Sequence, residues 1–188
     1  MLKRPMDRDI FGNPVSSRRP RYEATLERMD KVSLTHRAAR MRWLSRVIPK
    51  DIGFMMSMET YKVFEEAKSS FITGNFVATI VLSACFIEHW LVVGLSQRGF
   101  TKESSKGLAS SIKVARDNKL IDKFVLDSAD RLRKIRNPFV HLKSFEHEYT
   151  LAQRTFKKRV IPDELLEQDA KEALSTMYAI AVYALSRT

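Results

Sequence analysis

The chain has 188 residues, with 33 Lys and Arg against 22 Asp and Glu, a formal net charge of +11. At 44% hydrophobic and 29% charged it has neither a disordered nor a membrane-dominated composition. Its single cysteine, Cys85, excludes an internal disulfide framework and any multi-cysteine zinc site.

The basic excess is uneven. Residues 1–50 hold 13 basic and five acidic side chains, whereas residues 51–188 hold 20 and 17. Residues 1–21 contain Pro5, Pro14, Pro20, a Gly12-Asn13-Pro14 turn and scattered arginines, which predict an extended, basic arm. No apolar run of signal-peptide length follows Lys3 and Arg4, so a cytoplasmic protein is expected. From Tyr22 to Val47 there is neither Pro nor Gly. Glu23 and Glu27 lie near the start and Arg40, Arg42 and Arg46 near the end, in the sense that the helix dipole favours. The apolar stripe of this helix is thin (Leu34, Ala38, Met41, Leu44), which predicts partial docking. Its basic residues set residues 22–50 apart from a domain over 51–188.

A second helix is expected from Asp51 or Ser57 to Phe71, with Met58, Tyr61, Phe64, Ala67 and Phe71 on one stripe. Thr73-Gly74-Asn75 breaks it. The next helix, 76–97, opens on a window in which 15 of the 20 residues Phe76–Leu95 are apolar, long enough to span a bilayer. Glu88 and His89 lie inside it, and an acidic side chain at mid-membrane costs about 2.5–3.5 kcal/mol. The window therefore reads as the central helix of a soluble bundle, with no membrane partner. Shorter helices follow over about 104–117 (Leu108, Ile112 and Ala115 in register) and 121–136. Pro138 disfavours continuation of the latter, because its ring clashes with the Lys134 carbonyl. Residues Lys143–Arg159 read as a polar, basic connector. Pro162-Asp163 opens a last helix with Leu166, Ala170, Ala173, Met177, Ile180 and Ala184 inward. No segment alternates with a two-residue period, so the class is all-α: a bundle of five to six helices with a basic N-terminal extension.

Cleaving RNA without a metal requires a base for the 2′-hydroxyl proton, an acid for the leaving 5′-oxygen and a cation at the phosphorane. Histidine suits the first two tasks near neutral pH and arginine the third. Four histidines are present, and one closes the string Leu132-Arg133-Lys134-Ile135-Arg136-Asn137-Pro138-Phe139-Val140-His141. In an unbroken helix Asn137 and His141 share a face, while Arg136 and His141 stand about 140° apart. Arg-Asn-x-x-x-His, near the end of the penultimate long helix of an all-α chain, resembles the signature of the HEPN superfamily. Phe86-Ile87-Glu88-His89-Trp90-Leu91 is similar to that family's second-helix pattern. The likeness covers roughly 55–186.

The resemblance implies a metal-independent endoribonuclease with no cofactor. It would act as a homodimer whose two motifs form one composite active site, in a toxin–antitoxin or antiviral setting where an inhibitory partner protein restrains it. Arg136 and His141 would be the catalytic pair and Asn137 a polar auxiliary. The alternatives are a catalytically silent HEPN scaffold and a nucleic-acid-binding protein whose function lies in residues 1–50.

Glu88 has two compatible readings, a carboxylate that orients Arg136 or His141 and a buried partner that holds two helices together. Arg18, Arg19 and Arg21 beside Tyr22, Arg40 and Arg42 beside Trp43, and Arg133 could follow an RNA backbone while a ring stacks on a base. A solubilising or acid-binding tail is the plain alternative. His141, Glu146, His147 and Glu148 do not have metal-ligand spacing. Cys85 reads as a small buried hydrophobe rather than a nucleophile.

Overall fold

A computed structural model describes residues 22–49 and 57–185, with side chains to Val182. The arm 1–21, including Arg18, Arg19 and Arg21, lies outside the described residues. Contacts divide the chain between Ala38 and Ala39. This boundary falls inside the first helix and ahead of the composition break at residue 50.

Among the described residues there are eight helices and no strand: α1 Tyr22–Val47, α2 Met58–Thr73, α3 Phe76–Ser96, α4 Thr101–Ser104, α5 Leu108–Asp117, α6 Lys123–Val140, α7 Leu151–Lys158 and α8 Pro162–Leu185. The all-α class therefore holds, and the expected five to six helices are exceeded. One addition is the single turn α4. The other is α7, inside the stretch read as a connector. There Thr150 caps the helix by accepting from the Gln153 N–H at 3.3 Å.

In the unit described from Tyr22 to Ala38, Leu26, Met29, Val32 and Leu34 are exposed, and Arg37 pairs with Asp30 at 3.0 Å. The unit from Ala39 onward is built around α3, which packs against α2, α4, α5, α6 and α8. This is the one helix among the described residues long and apolar enough to cross a membrane. Here its Thr79, Ile80, Ser83, Ala84, Phe86 and Ile87 are fully buried. The rest of the core comes from Phe64, Ala67 and Phe71 of α2, Ile112 and Ala115 of α5, Leu126, Leu132 and Ile135 of α6, and Leu174, Met177 and Ile180 of α8. Leu44 of α1 joins it, and the Trp43 ring lies 5.0 Å from that of Phe71.

Two inward stripes differ from the periodicity. On α2, Met58 and Tyr61 are exposed and Thr60 is buried instead. A hydrogen bond between Thr60 Oγ1 and His89 Nδ1 (3.2 Å) makes that burial tolerable. On α8 the buried face includes Leu165 while Leu166 is half-buried, and Ala184 lies outside the described side chains. Tyr178, also on α8, is buried with its hydroxyl unpartnered. Burial first, then the Glu65 charge, raises its pKa well above the phenol range.

α6 does not stop before Pro138. A proline in a helix interior costs about 3 kcal/mol. Pro138 stands in the last turn, where only the Lys134 carbonyl loses its partner. Ile135 is buried just before it and Phe139 packs on the core just after it. Leu142 lies past the end of the helix and is fully exposed, so the inward face of α6 ends at Phe139.

Two contacts fix neighbouring elements. Gly74 ends α2 with φ +90°, and the guanidinium of Arg40 reaches over it to donate to the Ile72 carbonyl at 2.9 Å. The same group stacks 5.0 Å from the centre of the Phe76 ring. Arg154 of α7 pairs with Asp169 of α8, with both residues more than nine-tenths buried.

Candidate active site

The motif straddles the end of α6. Asp122 starts that helix by accepting from the Phe124 N–H at 2.8 Å, and Leu132 and Ile135 turn its apolar face to α3 and α8. The register puts Arg136, next to Ile135, against α3. Its Nη2 donates to Glu88 Oε2 at 3.4 Å. Its Nη1 makes a long contact of 3.5 Å to Asn137 Oδ1, and its Nε is buried without a partner. Arg136 and Glu88 are 18% and 28% exposed, so the pair sits at the margin of the bundle, partly open to water. Glu88 thus pairs with a basic residue of α6 and so ties that helix to α3.

His141 is the residue at which the helix ends. Its backbone is extended (φ −129°, ψ 123°), and its N–H donates to the Asn137 carbonyl at 2.8 Å. Its side chain is exposed and makes no hydrogen bond among the described residues. An imidazole held only through its own backbone is free to meet a bound substrate, while the neighbouring guanidinium is fixed by a carboxylate. Arg136, Asn137 and Glu88 are therefore one cluster, and His141 stands one turn further on.

A second polar group adjoins it on α3. His89 Nδ1 meets the Thr60 hydroxyl, and His89 Nε2 lies 3.6 Å from Cys85 Sγ. Cys85 is half-buried. Burial pushes its thiol up, the Glu88 carboxylate adds to this, and Arg136 opposes it. A thiol held protonated is a poor nucleophile. Cys85 should accordingly react with iodoacetamide at pH 8 more slowly than free glutathione; an equal or faster rate would contradict this environment.

Of the residues expected to contact RNA, Arg40 is engaged at the α2–α3 turn. Arg133 pairs with Asp130 at 2.8 Å. Arg42 is exposed. Among the described residues no three His, Cys, Asp or Glu side chains converge into a metal site. A groove of about 390 Å³ between α6 and α8 is lined by Phe124, Arg131, Ile135, Asp169, Glu172 and Thr176 among others, and by none of Glu88, Arg136, Asn137 or His141. The motif thus occupies an open helix end rather than that groove. The periodicity of the sequence did not separate Thr60, which is polar and reads as surface, from the exposed positions. The chain matches no protein-family model, no curated protein and no solved structure to which it was compared.

Proposed function

We propose that this protein is a metal-independent endoribonuclease of the HEPN type, working as a homodimer in a toxin or antiviral-defence role. The observation that supports the reading is the array at the end of α6, in which Glu88 holds Arg136 and an exposed, unencumbered His141 follows one turn further on. In this scheme His141 takes the proton of the 2′-hydroxyl and the resulting oxygen attacks the adjacent phosphorus. Arg136 stabilises the charge that builds on the phosphorane oxygens. The P–O5′ bond breaks and the 5′-oxygen receives a proton from an acid, which the second copy's motif supplies under two-fold symmetry. The products are a 2′,3′-cyclic phosphate and a 5′-hydroxyl end.

End-group analysis of a labelled single-stranded RNA, digested in excess EDTA, tests this. Cyclic phosphate or 3′-phosphate ends with a 5′-hydroxyl are expected. Products carrying a 5′-phosphate, or cleavage abolished by EDTA, would sink it.

One observation favours a second reading. Arg136 is mostly buried and bound to Glu88, an arrangement that also serves simply to clamp α3 to α6. A silent scaffold of this kind predicts no RNA turnover under any condition.

A further inference from the structure

The sequence-level RNA contacts are depleted in the folded bundle: Arg40 is committed to the Ile72 carbonyl and the Phe76 ring, and Arg133 to Asp130. The end of α7 offers a surface in their place. Phe156, Lys157, Lys158 and Arg159 are four consecutive exposed residues, and they hold the only run of three successive cations in the chain. None of the three cations has an acidic partner among the described residues. By contrast, Lys123, Arg131, Arg133, Lys134, Arg136 and Arg154 are all ion-paired.

Cations in a last turn suit the helix dipole, but that does not account for the aromatic ring beside them, which is 85% exposed. Nor is α7 too loose to present a surface. It is fastened to α8 by the buried Arg154–Asp169 pair, and it ends in a left-handed Arg159 (φ +55°) whose N–H donates to the Phe156 carbonyl.

From this arrangement we infer that the C-terminal end of α7 is a binding surface for single-stranded RNA. Lys157, Lys158 and Arg159 neutralise backbone phosphates and Phe156 stacks on a base. The charge of the patch selects a polyanion. The bare ring selects a strand with unpaired bases, because a duplex buries its base faces in its own stack. The inference rests on the proposed function only for the identity of the polyanion. It supplies what the motif lacks, a means of holding the strand outside the reacting phosphate.

Binding is measured by fluorescence anisotropy of a labelled single-stranded RNA at several salt concentrations, in the His141→Ala background so that the probe survives. Replacing Lys157, Lys158 and Arg159 together with alanine is expected to reduce the slope of log K against log salt by about 2, from roughly 0.7 per phosphate contact. Phe156→Ala should weaken binding about 10-fold with the slope unchanged. Restoring the charges as Lys157→Arg, Lys158→Arg and Arg159→Lys should recover the wild-type slope. The inference is overturned if the alanine triple keeps the wild-type slope, if a blunt duplex and a heparin fragment bind as tightly as the single strand, or if Phe156→Ala leaves binding of the single strand unchanged.

Cleavage is scored separately with His141 present. If the alanine triple cuts RNA with an unchanged KM, the surface is rejected and the nuclease reading stands. If RNA binds as described but no variant and no wild type cuts it, the surface stands and the nuclease reading is rejected.

Discussion

His141→Ala is expected to lower RNA cleavage about 10²–10⁴-fold, the usual span for loss of a positioned general base or acid, with no change in melting temperature. The asymmetry follows from the geometry. The imidazole is exposed and unbonded, and alanine keeps the backbone N–H that closes α6 on the Asn137 carbonyl. Arg136→Ala should also remove turnover, but through a different balance of effects. It leaves the half-buried Glu88 carboxylate without its partner, so a stability loss of about 1–3 kcal/mol accompanies the lost activity. Glu88→Gln keeps a hydrogen-bond acceptor for Arg136 and removes the charge, and should fall between the two. Parallel measurements of cleavage rate and thermal unfolding on the three variants separate chemistry from folding. Wild-type cleavage by the His141 variant would dismiss the assigned site.

The largest effect on folding is expected at the α7–α8 junction. Asp169→Ala leaves the Arg154 guanidinium in the interior with no counter-charge, and breaking a buried pair from one side costs about 3–5 kcal/mol. At roughly 2–4 °C per kcal/mol for a chain of this size, the melting temperature should fall by about 6–20 °C. The double variant Arg154→Met with Asp169→Leu removes both charges and should recover most of that loss, since the desolvation cost of the pair disappears along with its attraction. Denaturant midpoints of the single and double variants check this. If the double variant is as unstable as the sum of the two single ones, the residues act independently and the pair does not organise the junction.

These two sites differ in how far the sequence revealed them. The helices α1, α3 and α8 were legible because each is long and punctuated by Pro or Gly; the limits of α1 and the start of α8 agree with the expectation to the residue. The motif was legible because Arg136, Asn137 and His141 are neighbours in the chain. Its partner Glu88 was legible as an acid in an apolar helix, a placement that asks for a cation.

What escaped depended on tertiary context. In the sequence Pro138 is a terminator, whereas packing of Phe139 carries α6 past it. The sequence of α7 resembles a connector because its outward face is nearly all polar or basic. Its one local signal was Thr150 followed three residues later by Gln153, a capping-box spacing. The pairing of Arg154 with Asp169 has no local signature at all. The charge balance also changes meaning. Counted from Ala39, where the contacts place the boundary, the bundle unit carries 24 basic and 17 acidic residues. More than half of the surplus of +11 thus rides on the folded unit, where Lys157, Lys158 and Arg159 contribute to it, rather than on the preceding segment.

The Arg40 guanidinium over the α2–α3 turn ties two distant positions into one heritable unit. At most left-handed helix ends asparagine is the tolerated substitute for glycine. At position 74 a Cβ would lie 2.9 Å from Arg40 Nη1, so a side chain there displaces the flexible end of Arg40 from the Ile72 carbonyl and the Phe76 ring. Among descendants of this sequence, a residue other than glycine at 74 gives up these contacts of Arg40 in addition to carrying the strain of φ +90°. A change at residue 74 is thus felt at residue 40, although they share no helix and neither belongs to the candidate active site.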